Sequence, residues 1–110
     1  MQFLMLVCRD TEPVPPTEGE IPDVEEWVER MDSTGKRLAG DAVRPQALAR
    51  AVRVRGGKVL VTDGPYAETK EIICGFDLLE CADMDEAVEV AAAHPMAYRG
   101  VMELRPLMGD

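Results

Sequence analysis

The chain is short of the residues from which metal sites and disulfide frameworks are built. It has one histidine and three cysteines among 110 residues, and Cys8, Cys74 and Cys81 show no C-x-x-C spacing. An odd number of cysteines without that spacing indicates free thiols in a reducing cytoplasm. One histidine is too few for a zinc site of the usual cysteine and histidine type. No P-loop or dinucleotide-binding motif is present. We therefore expect no metal, no cofactor and a cytoplasmic location.

A long apolar run is also missing. The longest one, Phe3 to Cys8, is far shorter than the roughly 20 residues that cross a bilayer, and no basic segment precedes it. We predict neither a signal peptide nor a membrane segment. The length and the balance of 46% hydrophobic and 30% charged residues predict one globular domain over residues 1–110.

Positive charge is scarce outside the middle of the chain. The net charge is −9, but residues 34–70 contain eight basic and three acidic side chains. An acidic protein repels phosphate backbones, so we expect no nucleic-acid partner. The basic middle suits an anionic small molecule or an acidic stretch of another protein, and solvated strand faces also have this composition.

The hydrophobic periodicity predicts two helices and six strands. Asp23 and Asp83 are predicted N-caps, each followed three residues later by a glutamate. The predicted apolar helix faces are Val24, Trp27, Val28 and Met31 in the first helix and Met84, Ala87, Val88 and Ala91 in the second. The predicted strands cover residues 2–8, 36–43, 51–55, 58–62, 75–81 and 101–105.

Gly56 and Gly57 predict a tight two-residue hairpin between the third and fourth strands. Pairing across this turn gives one aliphatic face and one mainly basic face. The aliphatic face has Val52, Val54, Val59 and Val61, and the other has Arg53, Arg55, Lys58 and Leu60.

The order of elements is β-α-β-β-α-β with the hairpin inserted, which predicts a ferredoxin-like α+β fold. The first strand is apolar on both of its faces. Two helices can cover only one face of the sheet, so we expect a second copy to cover the other, in a homodimer.

The stretch V-L-V-T-D-G-P-Y-A-E-T-K-E, from Val59 to Glu71, is the most specific motif in the chain. Together with Gly75-Phe76, His94-Pro95 and E-L-R-P at residues 103–106, it resembles the DGPF branch of the YCII-related family. The fourth motif residue is here Tyr66 in place of phenylalanine. The resemblance implies ferredoxin-like domains that pair as a dimeric α+β barrel.

The same resemblance implies two kinds of activity. YCII-related proteins are regarded as enzymes that use a histidine and aspartate pair, with a dehydrochlorinase among the relatives. That histidine stands on the first helix, whereas this chain has none there and has His94 at the end of the second helix. Genes of the DGPF type often neighbour extracytoplasmic-function sigma factors, which implies a regulatory setting.

His94 is the one side chain whose ordinary pKa, about 6.5, suits proton transfer near neutral pH. We consider it as a general acid or base with Asp63, or as a structural residue at a helix end. The Asp63-Gly64-Pro65 turn either serves the backbone alone or presents the motif side chains at a pocket. The candidate ligand-binding residues are Tyr66, Glu68, Lys70 and Arg105.

We expect these residues to converge on one cleft that binds a small polar or anionic ligand in the dimer. Cofactor-free lyase or isomerase chemistry is one form of this hypothesis. The alternative is a non-catalytic interaction or regulatory module in a signalling or transcription pathway. The sequence leaves open whether the protein is an enzyme.

Overall fold

A computed structural model describes residues 1–10, 12, 15, 19–64 and 71–109. Its strands are β1 (Gln2–Asp10), β2 (Arg37–Ala42), β3 (Arg50–Arg55), β4 (Lys58–Asp63), β5 (Glu71–Glu80) and β6 (Gly100–Pro106). Its helices are α1 (Val24–Ser33) and α2 (Met84–Ala92), with short 3₁₀ helices at Gln46–Leu48 and Pro95–Tyr98. Among the described residues, no helix is long and apolar enough to span a bilayer.

Four strands form one antiparallel sheet in the order β2-β5-β1-β6. This order and the two helices give the predicted ferredoxin-like α+β fold. Among the described residues, strands β3 and β4 pair only with each other, and in the sequence they lie between β2 and β5. We call this hairpin, Arg50–Asp63, the arm.

The two faces of the sheet have different surroundings. Phe3, Met5 and Val7 of β1 are buried and belong to the hydrophobic core under the helices. The core is completed by Trp27, Met31, Leu79, Cys81, Ala87, Val90 and Ala91. The other face, which we call the open face, has Leu4 opposite Leu78 and Leu6 opposite Phe76, all of them partly or largely accessible.

Both helices begin at the predicted aspartates. The Asp23 carboxylate accepts a hydrogen bond from the Glu25 N–H at 3.3 Å, and the Asp83 carboxylate accepts from the Glu86 N–H at 2.9 Å. These side chains satisfy amides that the first helical turn leaves unpaired.

The buried face of α2 differs from the prediction. Ala87 and Ala91 are buried as expected, but Val90 is buried in place of Val88, which is 51% exposed. The indole N–H of Trp27 donates to the Val90 carbonyl at 2.9 Å. This contact joins α1 to the Val90 side of α2.

Strand β5 begins at Glu71, four residues before the predicted start. The early part pairs with the end of β1 across a bulge, where Val7 faces Gly75 and Cys8 faces Ile73. Sequence periodicity missed this part because a bulge changes the alternation of faces.

The arm has the predicted turn. Gly56 and Gly57 have φ values of 57° and 75°, and Arg55 pairs with Lys58 on either side of them. Two successive positive φ angles are typical of a type I′ turn, which glycine adopts without steric cost. The predicted pairing of Val54 with Val59 is confirmed.

Candidate functional site

A pocket of about 350 Å³ lies between α1, the adjacent strands β2 and β5, and the Pro95–Tyr98 helix. It lies beside the C-terminal end of β2, from which the chain continues toward the arm. Apolar side chains from Val7, Val24, Trp27, Val28 and Met96 line it. The ionisable residues of the same lining are Arg37, Asp41, Cys74, Asp77 and His94.

Arg37 and Asp77 form the most buried ion pair of the described residues. The Arg37 Nε donates to Oδ1 of Asp77 at 2.7 Å. Its Nη1 donates to Oδ1 of Asp32 at 3.0 Å, and its Nη2 donates to the Gly40 carbonyl at 3.0 Å. All three guanidinium nitrogens are therefore engaged, which fixes the plane of the group.

Backbone register brings this pair together. Arg37 lies opposite Leu79 and Gly40 lies opposite Asp77, so both positions belong to the helix-covered face. A bulge in β2 lies between Arg37 and Ala39. Without this bulge, the strict two-residue alternation would not put Arg37 and Gly40 on one face.

Gly40 makes room for the ion pair. A Cβ at this position would collide with Oδ1 of Asp77 and would lie 2.7 Å from the Phe76 carbonyl oxygen. It would also lie 2.9 Å from Nη2 of Arg37. The close approach of the carboxylate to β2 therefore requires glycine here.

Asp77 has one oxygen held by protein and one left over. Its Oδ1 accepts from Arg37, whereas Oδ2 has no hydrogen-bond partner within the described residues. Every fully buried side-chain nitrogen or oxygen of the described residues has a hydrogen-bond partner. Since Oδ2 has none, we infer that it is accessible from the pocket that Asp77 lines. Burial raises the pKa of Asp77, and the hydrogen bond from Arg37 opposes this shift.

His94 is a buried cap at the start of the Pro95–Tyr98 helix. Its Nδ1 accepts a hydrogen bond from the Met96 N–H at 3.0 Å. The ring lies edge-on to Trp27, with centroids 4.7 Å apart. Burial lowers the pKa of His94, so the neutral ring predominates at neutral pH. Because Nδ1 is an acceptor, the neutral ring carries its proton on Nε2 and can donate from there.

The structure distributes the predicted site residues among different places. His94 lies in the pocket. Asp63 ends β4, is 87% exposed at its side chain and pairs with Arg50 at 3.1 Å, outside the pocket lining. Arg105 is in β6 opposite Leu4, on the open face, and lies 3.4 Å from Glu103. The predicted ligand-binding residues Tyr66, Glu68 and Lys70 lie outside the described residues.

The buried carboxylate in the pocket of His94 is thus Asp77, which sequence analysis did not select. A usable signal was present. Asp77 is the charged member of the alternating set Gly75, Asp77 and Leu79, whose other members are small or apolar. A charge in such a set is rarely buried without a specific partner. Its partner could not be identified in the same way, because Arg37 precedes a bulge in β2 for which the sequence gives no signal.

Among the described residues, no three side chains of His, Cys, Asp or Glu are grouped as metal ligands would be. The polar side chains that line the pocket are the carboxylates of Asp77 and the exposed Asp41, the Arg37 guanidinium, the His94 imidazole and the Cys74 thiol. Such a set can hold a polar molecule by hydrogen bonds and can transfer protons.

Comparison with known proteins identifies the family. The chain is 43% identical over 67 residues to an uncharacterized protein of Rhizobium meliloti (strain 1021). The match covers 57% of this chain and 52% of that relative, so the chain spans about half of the relative's length. The YCII-related domain matches residues 1–109. The chain therefore belongs to the YCII-related domain family.

Proposed function

We propose that the protein binds a small polar molecule in this pocket and transfers a proton on it without a cofactor, as a lyase or isomerase does. The observation that carries this proposal is the hydrogen bonding of the Asp77 carboxylate. One oxygen of this buried carboxylate is fixed by Arg37, and the other has no hydrogen-bond partner among the described residues. A positioned carboxylate with a raised pKa is suited to act as a general base.

The two pocket residues take different roles in this chemistry. Asp77 removes a proton from a carbon atom of the substrate, and the electron pair left behind forms a new double bond. A leaving group departs with its own bonding pair in a lyase, whereas the proton returns at another carbon in an isomerase. His94 donates a hydrogen bond from Nε2 to the oxygen or leaving group that gains negative charge.

The pocket favours neutral or cationic substrates over anionic ones. Each guanidinium nitrogen of Arg37 already donates to Asp77, Asp32 or Gly40. The two carboxylates outweigh the single positive charge of Arg37, so little attraction remains for an anion. A volume of about 350 Å³ is near the lower end of ligand pockets, roughly 300 to 1,000 Å³, and suits a small metabolite.

The proposal includes a homodimer. Leu4, Leu6, Phe76 and Leu78 form an apolar strip on the open face, with no helix over it among the described residues. Burying such a strip against a second copy removes apolar surface from water. A two-fold mass in light scattering at micromolar concentration is expected, and a monomeric mass would contradict the dimer.

A non-catalytic interaction or regulatory module is the second candidate function. The exposed aliphatic face of the arm is the observation that favours it. The DGPF-type assignment and the link to sigma factors rest on the motif at residues 59–71 and stay predictions. A protein of this kind needs no ligand in the pocket, so small-molecule binding separates the two candidates.

Trp27 gives a direct readout for this test because it is the one tryptophan of the chain and lines the pocket. We would titrate small neutral amides, amines and carboxylates of matched size and record Trp27 fluorescence and its indole N–H signal. We expect saturable shifts with members of the amide or amine series and not with the carboxylates. His94→Gln should weaken binding, while Arg105→Gln should not. No saturable change with any series would contradict the proposed function.

A further inference from the structure

The arm exposes more aliphatic surface than a solvated hairpin needs. Its residues Val52, Val54, Val59 and Val61 are 57% to 66% exposed, although they form one continuous face. All six residues of β4 are exposed. An isolated two-stranded hairpin is marginally stable in water, so a face of this kind gains stability from a cover.

The charge of the arm differs in sign from that of the rest of the chain. The arm has four basic residues and one acidic residue, a net charge of +3. The whole chain has −9, so the remainder carries −12. A basic arm is therefore attracted to the acidic body of another copy, while two arms repel each other.

We infer that the aliphatic face of the arm packs against the open face of the sheet in a second copy of this chain. The inference rests on the proposed homodimer and adds the arm to its interface. The open face offers the apolar strip defined above, together with Glu80, Glu103 and Arg105 by register. The contact itself is thus mainly apolar, and the opposite net charges of the arm and the body favour it.

The dimensions agree with this assignment. Two strands of six residues, at about 3.3 Å per residue and about 4.8 Å apart, give a face of roughly 20 by 10 Å. Each arm face therefore has an area of roughly 200 Å². In a symmetric dimer, the two arm faces and the two surfaces that they cover together bury roughly 800 Å². A standard stable interface buries about 1,200 to 2,000 Å² in total. The arms supply a large part of it, and contact between the sheets supplies the rest.

Neighbouring positions on the arm provide a matched pair of variants. Val59 lies on the aliphatic face and Leu60 on the basic face, at 66% and 47% exposure. Val59→Asp and Leu60→Asp introduce the same charge into the same exposed strand. We expect Val59→Asp to raise the dimer dissociation constant at least tenfold in sedimentation velocity, because a two-fold interface loses the contact twice. Leu60→Asp should change it less than threefold.

Two further measurements separate the occupants of the arm. A zero-length carbodiimide crosslink in a mixture of ¹⁵N-labelled and unlabelled protein should join Lys58 to a carboxylate of the other copy. Raising the salt from 0.05 to 0.5 M should weaken the dimer, because screening removes the attraction between arm and body.

Three outcomes would overturn the inference. They are a monomeric wild type, equal effects of the two variants, and Lys58 crosslinks confined to one copy. An arm that binds only a different protein would give the second outcome, because the dimer would then depend on contact between the sheets alone. Binding of amides or amines in the pocket is measured separately with Trp27, so the arm inference can fail while the proposed function stands.

Discussion

The rings of Trp27 and His94 meet edge to face, with centroids 4.7 Å apart and planes at 70°. A protonated imidazole quenches indole fluorescence strongly, so Trp27 reports the charge of His94. Burial lowers the pKa of His94. We predict that fluorescence falls on acidification with a midpoint below about 6.5, the ordinary value. His94→Gln should remove this transition, and a midpoint at or above 6.5 would show that the imidazole is not desolvated.

Stability should depend on pH through the same histidine. The folded state binds the proton less readily than the unfolded state, so acidification from about pH 6.5 to the lowered pKa favours unfolding. Asp77 acts in the opposite direction, because its raised pKa makes the folded state bind the proton more readily. Denaturant unfolding over a pH series should show that the wild type loses stability relative to His94→Gln as pH falls below 6.5. Parallel curves would refute the assignment.

Removal of the guanidinium should be costly. Arg37→Gln leaves the Asp77 carboxylate buried without its cation, and loss of one partner of a buried pair costs about 3 to 5 kcal/mol. The loss should shrink in acid, where Asp77 becomes protonated. Urea unfolding at pH 7 and pH 4 measures both values. Asp32→Asn is the control, because it removes only the negative charge of Asp32, the more exposed of the two carboxylates that pair with Arg37. Equal losses for the two variants at pH 7 would argue against a buried pair.

A single methyl group should disturb the site through Gly40. Gly40→Ala places Cβ against Oδ1 of Asp77 and near Nη2 of Arg37, and overpacking of this kind costs about 1 to 3 kcal/mol. Gly109→Ala is the matched control, since no atom lies within 4 Å of a Cβ there. Thermal unfolding should separate the variants, and an unchanged midpoint for Gly40→Ala would contradict the close approach.

The turn of the arm requires a left-handed backbone at Gly57, where φ is 75°. Gly57→Val should destabilise the hairpin, whereas Gly57→Asn should be better tolerated because asparagine adopts this conformation more readily. Amide hydrogen exchange of Val54 and Val59 measures the effect within the arm itself. Equal protection in both variants would mean that the turn is of another type.

Much of the fold could be predicted because its signals are local. Apolar spacing indicated both helices, Asp23 and Asp83 marked their starts, and the Gly56-Gly57 pair marked the hairpin. The order of these elements then left few topologies. Local signals failed where strands are irregular, at the bulge before Cys8 and at the start of β5. They also failed in α2, where Val90 is buried and Val88 is exposed.

The candidate site was less accessible to sequence analysis. His94 was selected from its chemistry and does lie in the pocket. Its neighbours depend on long-range pairing, since Arg37 and Asp77 are 40 residues apart and meet through the β2–β5 register. Asp63 was selected because the motif surrounds it, yet the register of β4 places it in the exposed arm. The motif at residues 59–71 identifies a segment of the chain, whereas the bulge in β2 determines that Arg37 and Asp77 share the pocket.

Asp77 and Asp63 provide the most direct test of the proposed site. Asp77 is buried beside Arg37, and Asp63 is exposed in the arm. Substitution by asparagine replaces either carboxylate with an amide of the same size. The affinity of an amide or amine that shifts the Trp27 signal should be measured for Asp77→Asn and Asp63→Asn. Loss of binding by at least tenfold in Asp77→Asn, with wild-type affinity in Asp63→Asn, is the predicted result. Unchanged affinity in Asp77→Asn would contradict the account.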